Sequence, residues 1–566
     1  MKKYAATILL SILLAACGGG GGSSNSNSTP TTPTTPTTPT TPTTPVITSA
    51  AGYCAAPRPA GTIDPDTNQP YRDVQGNLSD EMAWIQNFVN NTYLWYVDVP
   101  AVSSTPYKIG ATVPYVDPTN NSASTKTLTS NYDVVDAYFN SQRSPLFTLS
   151  GKPKDQFHFT YITSDWQNLS SSGSTTGFGF QAFSLNSTPP IQAYVAYTSP
   201  NTPAYTNGIV RGTQFISING INVATASSQA DLDALNTALF SPVAGTSYTF
   251  VVQIPGQASQ STITMTAPSS ITLTPVMDVG ALPSPNSSVG YIFYTDQIAT
   301  AEGELYNTIT ALQTANNGGP VTDLVLDLRY NGGGLLQLAS ELAYMIAGPT
   351  KTNGKFFERD TYNNKNPFGF STAEDTFLFQ TTSLGFTTIP SSAMLAAGTQ
   401  LPTLNLNTVY VITTGNTCSA SEAIMNGLTG VGVKVVQIGD TTCGKPYGFY
   451  PQDNCSTTYF AIQFEGVNSL GFGAYADGFI PGGTGTTANN LPGCMAADDV
   501  NHQLGDPAEA SLATALYYKQ NSMCPATPFA TSKARKSLAK SKLLRSPARE
   551  NRILPGMVSR MKTDSL

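Results

Sequence analysis

The sequence predicts a multidomain α/β protein with an N-terminal helical domain, a β-rich middle and an α/β layered core. Three observations predict it. Apolar residues recur at helical spacing in residues 78–100, short β-type runs broken by Gly, Pro and Asn fill residues 165–275, and apolar strand runs alternate with helical patterns from about residue 280. A chain of 566 residues has room for several cores, and 11% charged residues with Gly 48 and Pro 40 suit a loop-rich exported protein better than a charged helical one.

The N-terminus begins with the basic Met1-Lys2-Lys3. Ala5 to Leu14 follows, an apolar stretch too short to span a bilayer, and then the small residues Ala15 and Ala16. Leu14-Ala15-Ala16-Cys17 resembles a bacterial lipobox. This implies a signal peptide over 1–16, a lipidated Cys17 as membrane anchor, and a place in the bacterial cell envelope facing the periplasm or exterior. Residues 17–50, rich in Gly and Ser and then in Thr-Thr-Pro repeats, cannot bury a core and read as a tether.

Six cysteines remain: Cys54, Cys418, Cys443, Cys455, Cys494 and Cys524. An even number in an exported chain suggests disulfides. "CGKPYGFYPQDNC" reads as two extended runs joined by a turn, so Cys443 is expected to meet Cys455, with Cys418 to Cys443 as an open alternative. No CxxC pair and only two histidines, His158 and His502, argue against a zinc site; no metal or cofactor is expected, and no nucleic-acid partner. Residues 526–566 form a basic tail expected to be disordered. From Thr531 onward it carries net +8 against −7 for the whole chain, so the remainder holds −15.

Within residues 51–164, Trp84, Ile85, Phe88, Val89, Tyr93 and Leu94 lie at helical spacing after the cap candidate Ser79, predicting a helical domain. Residues 165–275 contain the runs 177–183, 191–197, 214–223 and 248–254, with a hairpin signal at Asn219-Gly220. "SPNTPAYTNGIVRGTQFISING" (199–220) resembles the corresponding stretch of PDZ domains, although Thr213 stands where they usually carry Asp. That resemblance implies that Gly177-Phe178-Gly179-Phe180 is a loop binding the C-terminal carboxylate of a polypeptide.

Residues 280–525 alternate strand and helix: a strand at "VGYIFY", a helix at 303–315, strand 323–328, helix 334–347, strand 408–413, helix 419–428 and strand 434–439. Unbroken apolar runs such as Leu324-Val325-Leu326 imply burial on both sheet faces. Ser419-Ala420-Ser421-Glu422 on its own reads at least as well as a helix capping box as it does as a reactive serine. However, "VTDLVLDLRYNGGG" (321–334), "TCSASEAIMNGL" and "VVQIGDTTCGK" together resemble the Gly-rich, Ser and Lys segments of the S41 family of C-terminal processing peptidases. The resemblance covers about 80–525 and implies a crotonase/ClpP-like core.

Carried over by position, the resemblance implies Ser419 as nucleophile and Lys445 as general base, with Glu422 an uncertain third member. Phe449 stands where many members keep a Gln, and Gln452 is out of register. A Lys can serve as base if desolvation lowers its pKa, and its sequence neighbours Cys443, Gly444, Pro446 and Tyr447 bring no carboxylate. Backbone N–H groups of Gly332, Gly333 and Ala420 would form the oxyanion hole. The expected function is a lipid-anchored serine endopeptidase acting on extracytoplasmic polypeptides near their C-termini. A non-catalytic binding lipoprotein on the same scaffold is the alternative.

Overall fold

A computed structural model describes residues 51–529 except 66–67, 117–120, 122, 149, 185–188, 241, 372–374, 387–388, 390–392, 483–488 and 528, together with 542–544 and 558–559. The expected signal peptide, Cys17, the expected tether and most of the basic tail lie outside the described residues. The two tail segments are short strands, 542–544 antiparallel to 182–184 and 558–559 parallel to 334–335.

The N-terminal unit is built on α1 (Leu78–Thr92), which buries Trp84, Ile85, Phe88 and Val89 against Val134, Val135, Tyr138 and Phe139 of α2 (Asn131–Ser141). The cap of α1 is Asn77 rather than Ser79. Its side chain accepts from the N–H of Ser79 (2.9 Å) and Asp80 (3.3 Å), and the Asp80 carboxylate accepts from the N–H of Asn77 (3.0 Å). Strand β1 (Phe159–Ile162) and α3 (Thr163–Ser172) complete this unit's own elements used here.

The middle unit is an antiparallel sheet of β2 (Phe180–Ser184), β3 (Ala193–Thr198), β4 (Gln214–Ile218), β5 (Ser247–Gln253) and β6 (Ser261–Thr266), in the order β6-β5-β4-β3-β2. Asn219 and Gly220 both have positive φ (48° and 81°), the geometry of a type I′ turn, so the chain folds straight back after β4. Phe178, Phe180, Phe215 and Phe250 form its core with Leu235 and Leu239 of α4 (Gln229–Phe240).

The α/β core holds β7 (Val276–Ala281), β8 (Val289–Tyr294), β9 (Asp323–Asp327), β11 (Thr408–Thr413), β12 (Lys434–Gly439) and β16 (Gly493–Met495), in that order across one sheet; β10 (Phe356–Tyr362) lies in a smaller sheet. Only β7 is antiparallel to its neighbour. One face packs on α5 (Ala301–Leu312), α6 (Leu336–Ala347) and α7 (Ala420–Gly430), and the other on α8 (Ala510–Asn521). Burial on both sides is why its parallel strands are mostly apolar.

After Lys445 the chain runs through β13 (Tyr447–Gly448), β14 (Thr457–Phe460) and β15 (Phe464–Val467). Strand β14 pairs antiparallel with β1, and Phe449, Tyr459, Phe460 and Ile462 join the cluster of Trp84 and Phe88. The segment carrying the lysine therefore finishes the core of the N-terminal unit.

The disulfides are Cys54–Cys455, Cys418–Cys443 and Cys494–Cys524, which overturns the expected Cys443–Cys455 pair. The reason is the position of the turn. Gln452–Asn454 pairs with Thr457–Tyr459 across a tight turn at Cys455 and Ser456 (φ 53° and 66°), while β13 pairs with β15. Cys455 thus sits at a hairpin tip facing the N-terminal unit, and Cys443 faces the start of α7.

Candidate active site

Ser419 stands between β11 and α7 with φ 57° and ψ −114°. A side chain bearing a Cβ is strained there, at a cost on the order of 1–3 kcal/mol, and such outliers persist only where the surroundings over-determine them. A strained turn from strand to helix is also how α/β enzymes present a nucleophile. The hydroxyl is fully buried at the capping-box position of α7, facing the N–H of Glu422, but it makes no hydrogen bond of ordinary geometry among the described residues.

Glu422 holds this turn from inside. Its carboxylate accepts from the backbone N–H of Ser419 (2.9 Å), Gly444 (2.9 Å) and Lys445 (2.8 Å), and from the Thr442 hydroxyl (2.5 Å). One side chain therefore fixes the backbone of the serine and of the lysine 26 positions later. Burial pushes the Glu422 pKa up, and these donors pull the other way. Its place in the capping box is real, but most of its bonds go to the lysine loop.

The Lys445 side chain is buried, its Nζ 4.2 Å from the ring centre of Phe449 and 4.9 Å from that of Phe157. Desolvation holds its pKa well below the ordinary lysine value, against the opposing charges of Asp155 and Glu422. Sequence neighbours had suggested that no carboxylate faces this lysine; the fold brings in these two. Asp155 is itself buried and ordered, accepting from Tyr93 Oη (2.5 Å) and Phe157 N–H (2.8 Å), with His158 Nδ1 at 3.3 Å. Asp155 and Phe157 are the residues around Lys445 that the sequence reading missed. Nothing local in "DQFHF" marks them, since they meet Lys445 across 290 and 288 positions of chain.

The glycine turn follows β9. Asn331 C=O accepts from Cys418 N–H (3.1 Å) and from Ser421 Oγ (3.2 Å), clamping this turn onto the serine turn. Gly334 has φ 146° and lies against Gln297 C=O, where a Cβ would collide. Of the three expected oxyanion donors, Gly333 N–H is engaged by its neighbour's side chain, Asn331 Oδ1, at 2.9 Å. The N–H groups of Gly332 and Ala420 have no acceptor among the described residues.

The loop Gly177-Phe178-Gly179-Phe180 lies in the middle unit. Phe178 and Phe180 point into its core and stack at 6.2 Å. Gly179, φ 90°, packs so closely on Thr202 that a side chain would collide. The loop's carbonyls are consumed internally, Gly179 C=O by Ser199 N–H (2.7 Å) and Phe178 C=O by Ala204 N–H (2.9 Å). The N–H groups of Phe178 and Gly179 have no acceptor among the described residues, the arrangement a carboxylate-binding loop needs. Neither histidine is hydrogen-bonded to Ser419: His158 stacks on Phe139 at 3.8 Å, and His502 bonds Asp499 at 2.6 Å.

Residues 288–450 match the sequence model of peptidase family S41. No curated protein sequence matches the chain. Among solved structures, one described as "Putative S41 protease from Bacteroides fragilis NCTC 9343" superposes with a TM-score of 0.52 at 20% identity, covering 80% of this chain and 98% of that one. A photosystem II D1 C-terminal processing protease gives a TM-score of 0.38 at 16% identity, covering 74% and 93%. The fold is thus that of the first of these structures, a mixed α/β architecture.

Proposed function

On the premise that residues 288–450 are an S41 peptidase domain and the chain a serine-type peptidase, we propose an envelope endopeptidase that cleaves extracytoplasmic polypeptides near their C-termini with Ser419 and Lys445. The N–H groups of the 177–180 loop, in a PDZ-like module, take the substrate's terminal carboxylate. The neutral Lys445 amine removes the Ser419 proton, and Ser419 Oγ attacks the scissile carbonyl. Gly332 and Ala420 donate to the resulting oxyanion, and Lys445 returns the proton to the departing amine. Water then hydrolyses the acyl-enzyme with the same lysine as base. Lipidated Cys17 ties the chain to the membrane through the tether; among the described residues no helix is long and apolar enough to cross one.

The observation that carries this reading is the strained, buried Ser419 joined through Glu422 to a lysine whose ammonium form is penalised by burial. Ser419 Oγ is unpartnered, so the working Ser–Lys bond must close when substrate enters, as catalytic hydrogen bonds often do. A binding protein has no use for the serine strain, which sets it apart as the weaker reading.

Labelling with a serine-reactive fluorophosphonate tests it. The natural chain should label, Ser419→Ala should not, and cleavage of an unstructured polypeptide should fall when its C-terminus is amidated. A natural chain that neither labels nor cleaves would favour the binder. Incorporation of labelled palmitate, expected in the natural chain and lost in Cys17→Ala, tests the anchor.

A further inference from the structure

We propose that the Cys418–Cys443 disulfide is a positioning cross-link of the site, setting the nucleophile against its base so that full turnover belongs to the oxidised chain. This rests on the peptidase reading above. Cys418 immediately precedes Ser419, and Cys443 stands two residues before Lys445, with Cα atoms 5.2 Å apart. The same two backbones are already joined by Cys443 N–H to Thr417 C=O (3.1 Å) and by the Glu422 carboxylate.

A bridge placed for stability alone gains most by closing a long loop. By that standard Cys54–Cys455, across 401 positions, is the structural bridge, whereas Cys418–Cys443 spans 25, the fewest of the three. What Cys418–Cys443 adds is a covalent limit on the separation of two backbones, one of them the strained turn of Ser419, whose geometry survives only while its neighbours hold it. Small displacements of reacting groups are costly, on the order of a hundredfold for about 1 Å.

The bridge is also reachable. Cys443 is partly exposed while Cys418 is buried. A dithiothreitol thiolate would attack Cys443 Sγ, breaking the S–S bond and releasing Cys418 Sγ, which takes up a proton. The second dithiothreitol thiol then displaces Cys443, so two electrons and two protons pass to the protein and dithiothreitol closes to its cyclic disulfide.

The test uses the full chain with Cys494→Ala/Cys524→Ala as background, because Cys524 is exposed and would be reduced as well. EDTA is kept present, since Cys418, Glu422 and Cys443 place ligand atoms within 4.8 Å of one another and could hold a metal once reduced. Mild dithiothreitol, with alkylation mapped to Cys443, should lower kcat and the fluorophosphonate labelling rate by roughly a hundredfold, with KM within about twofold, and re-oxidation should restore both. Cys418→Ala/Cys443→Ala, verified as folded by circular dichroism, should show the same loss and no further response to dithiothreitol. Unchanged kcat in the reduced protein or the folded variant would overturn the proposal, as would an equal loss in Cys494→Ala/Cys524→Ala alone, which would mark a general effect of bridge removal. No labelling of the oxidised natural chain would instead overturn the peptidase reading itself.

Discussion

The two halves of the site are built in opposite ways. The nucleophile half is local: Ser419, Ala420 and Glu422 lie within four residues at one helix start, clamped on the glycine turn through Asn331. The base half draws on distant chain: Phe157 and Asp155 of the N-terminal unit close around Lys445 together with Phe449, four residues after it. Hydrogen bonds to backbone position the serine, whereas burial tunes the lysine. Under the proposed mechanism the N-terminal unit is thereby part of the chemistry, since without it the lysine amine would face water and regain its proton.

The largest expected effect breaks both halves. Ser419→Ala and Lys445→Ala should each lower kcat by a factor on the order of 10⁴ to 10⁶, and the double variant should be no worse than either single one, because the two act as a unit. Steady-state kinetics on an unstructured polypeptide reads this. Additive losses would mean that the residues do not cooperate.

Glu422→Gln strikes the connection between the halves. An amide can keep only part of the acceptor role and turns its own N–H groups toward the donors of Ser419, Gly444, Lys445 and Thr442. The expected loss is about 3 kcal/mol of stability or more, read by denaturant titration, together with a large fall in kcat.

Asp155→Asn sharpens the contrast by touching the base half alone. The carboxylate favours the ammonium, so removing it lowers the Lys445 pKa further; the neutral amine is then populated at lower pH, and the acid limb of kcat/KM should move to lower pH. A shift to higher pH would contradict the assigned environment.

The smallest effect concerns stability. A lysine whose pKa is depressed in the folded state binds its proton more readily when unfolded, so its burial costs stability at neutral pH, and that cost fades as pH rises toward the ordinary lysine value. Lys445→Met, similar in length and uncharged, should raise Tm by about 1 °C at about 1 kcal/mol, with the gain shrinking at alkaline pH. A gain independent of pH would place its origin in packing.

What was legible follows the same division. The strands 289–294, 408–413 and 434–439 were readable because burial on both faces demands largely apolar runs, and the start of α7 because a capping box imposes fixed spacing, while Ser419 as a nucleophile came only from the family resemblance. The cap of α1 slipped from Asn77 to Ser79 because both residue types can fill that place. The Cys455 pairing and the lysine pocket were hidden for one physical reason: β14 leaves the α/β core to pair with β1, and a strand pairing across some 300 residues leaves no local mark.

The most direct test of the central claim is the fluorophosphonate labelling rate of Ser419 as a function of pH, in the natural chain and in Lys445→Arg. It needs no knowledge of the substrate. The natural chain should show a rate that rises along a single acid limb as Lys445 loses its proton, well below the ordinary lysine value. Lys445→Arg, whose guanidinium stays protonated at any workable pH, should label at least about 10³-fold more slowly throughout. Labelling of Lys445→Arg at near-natural rates, or loss of the limb in a folded His158→Gln or His502→Gln chain, would contradict the account.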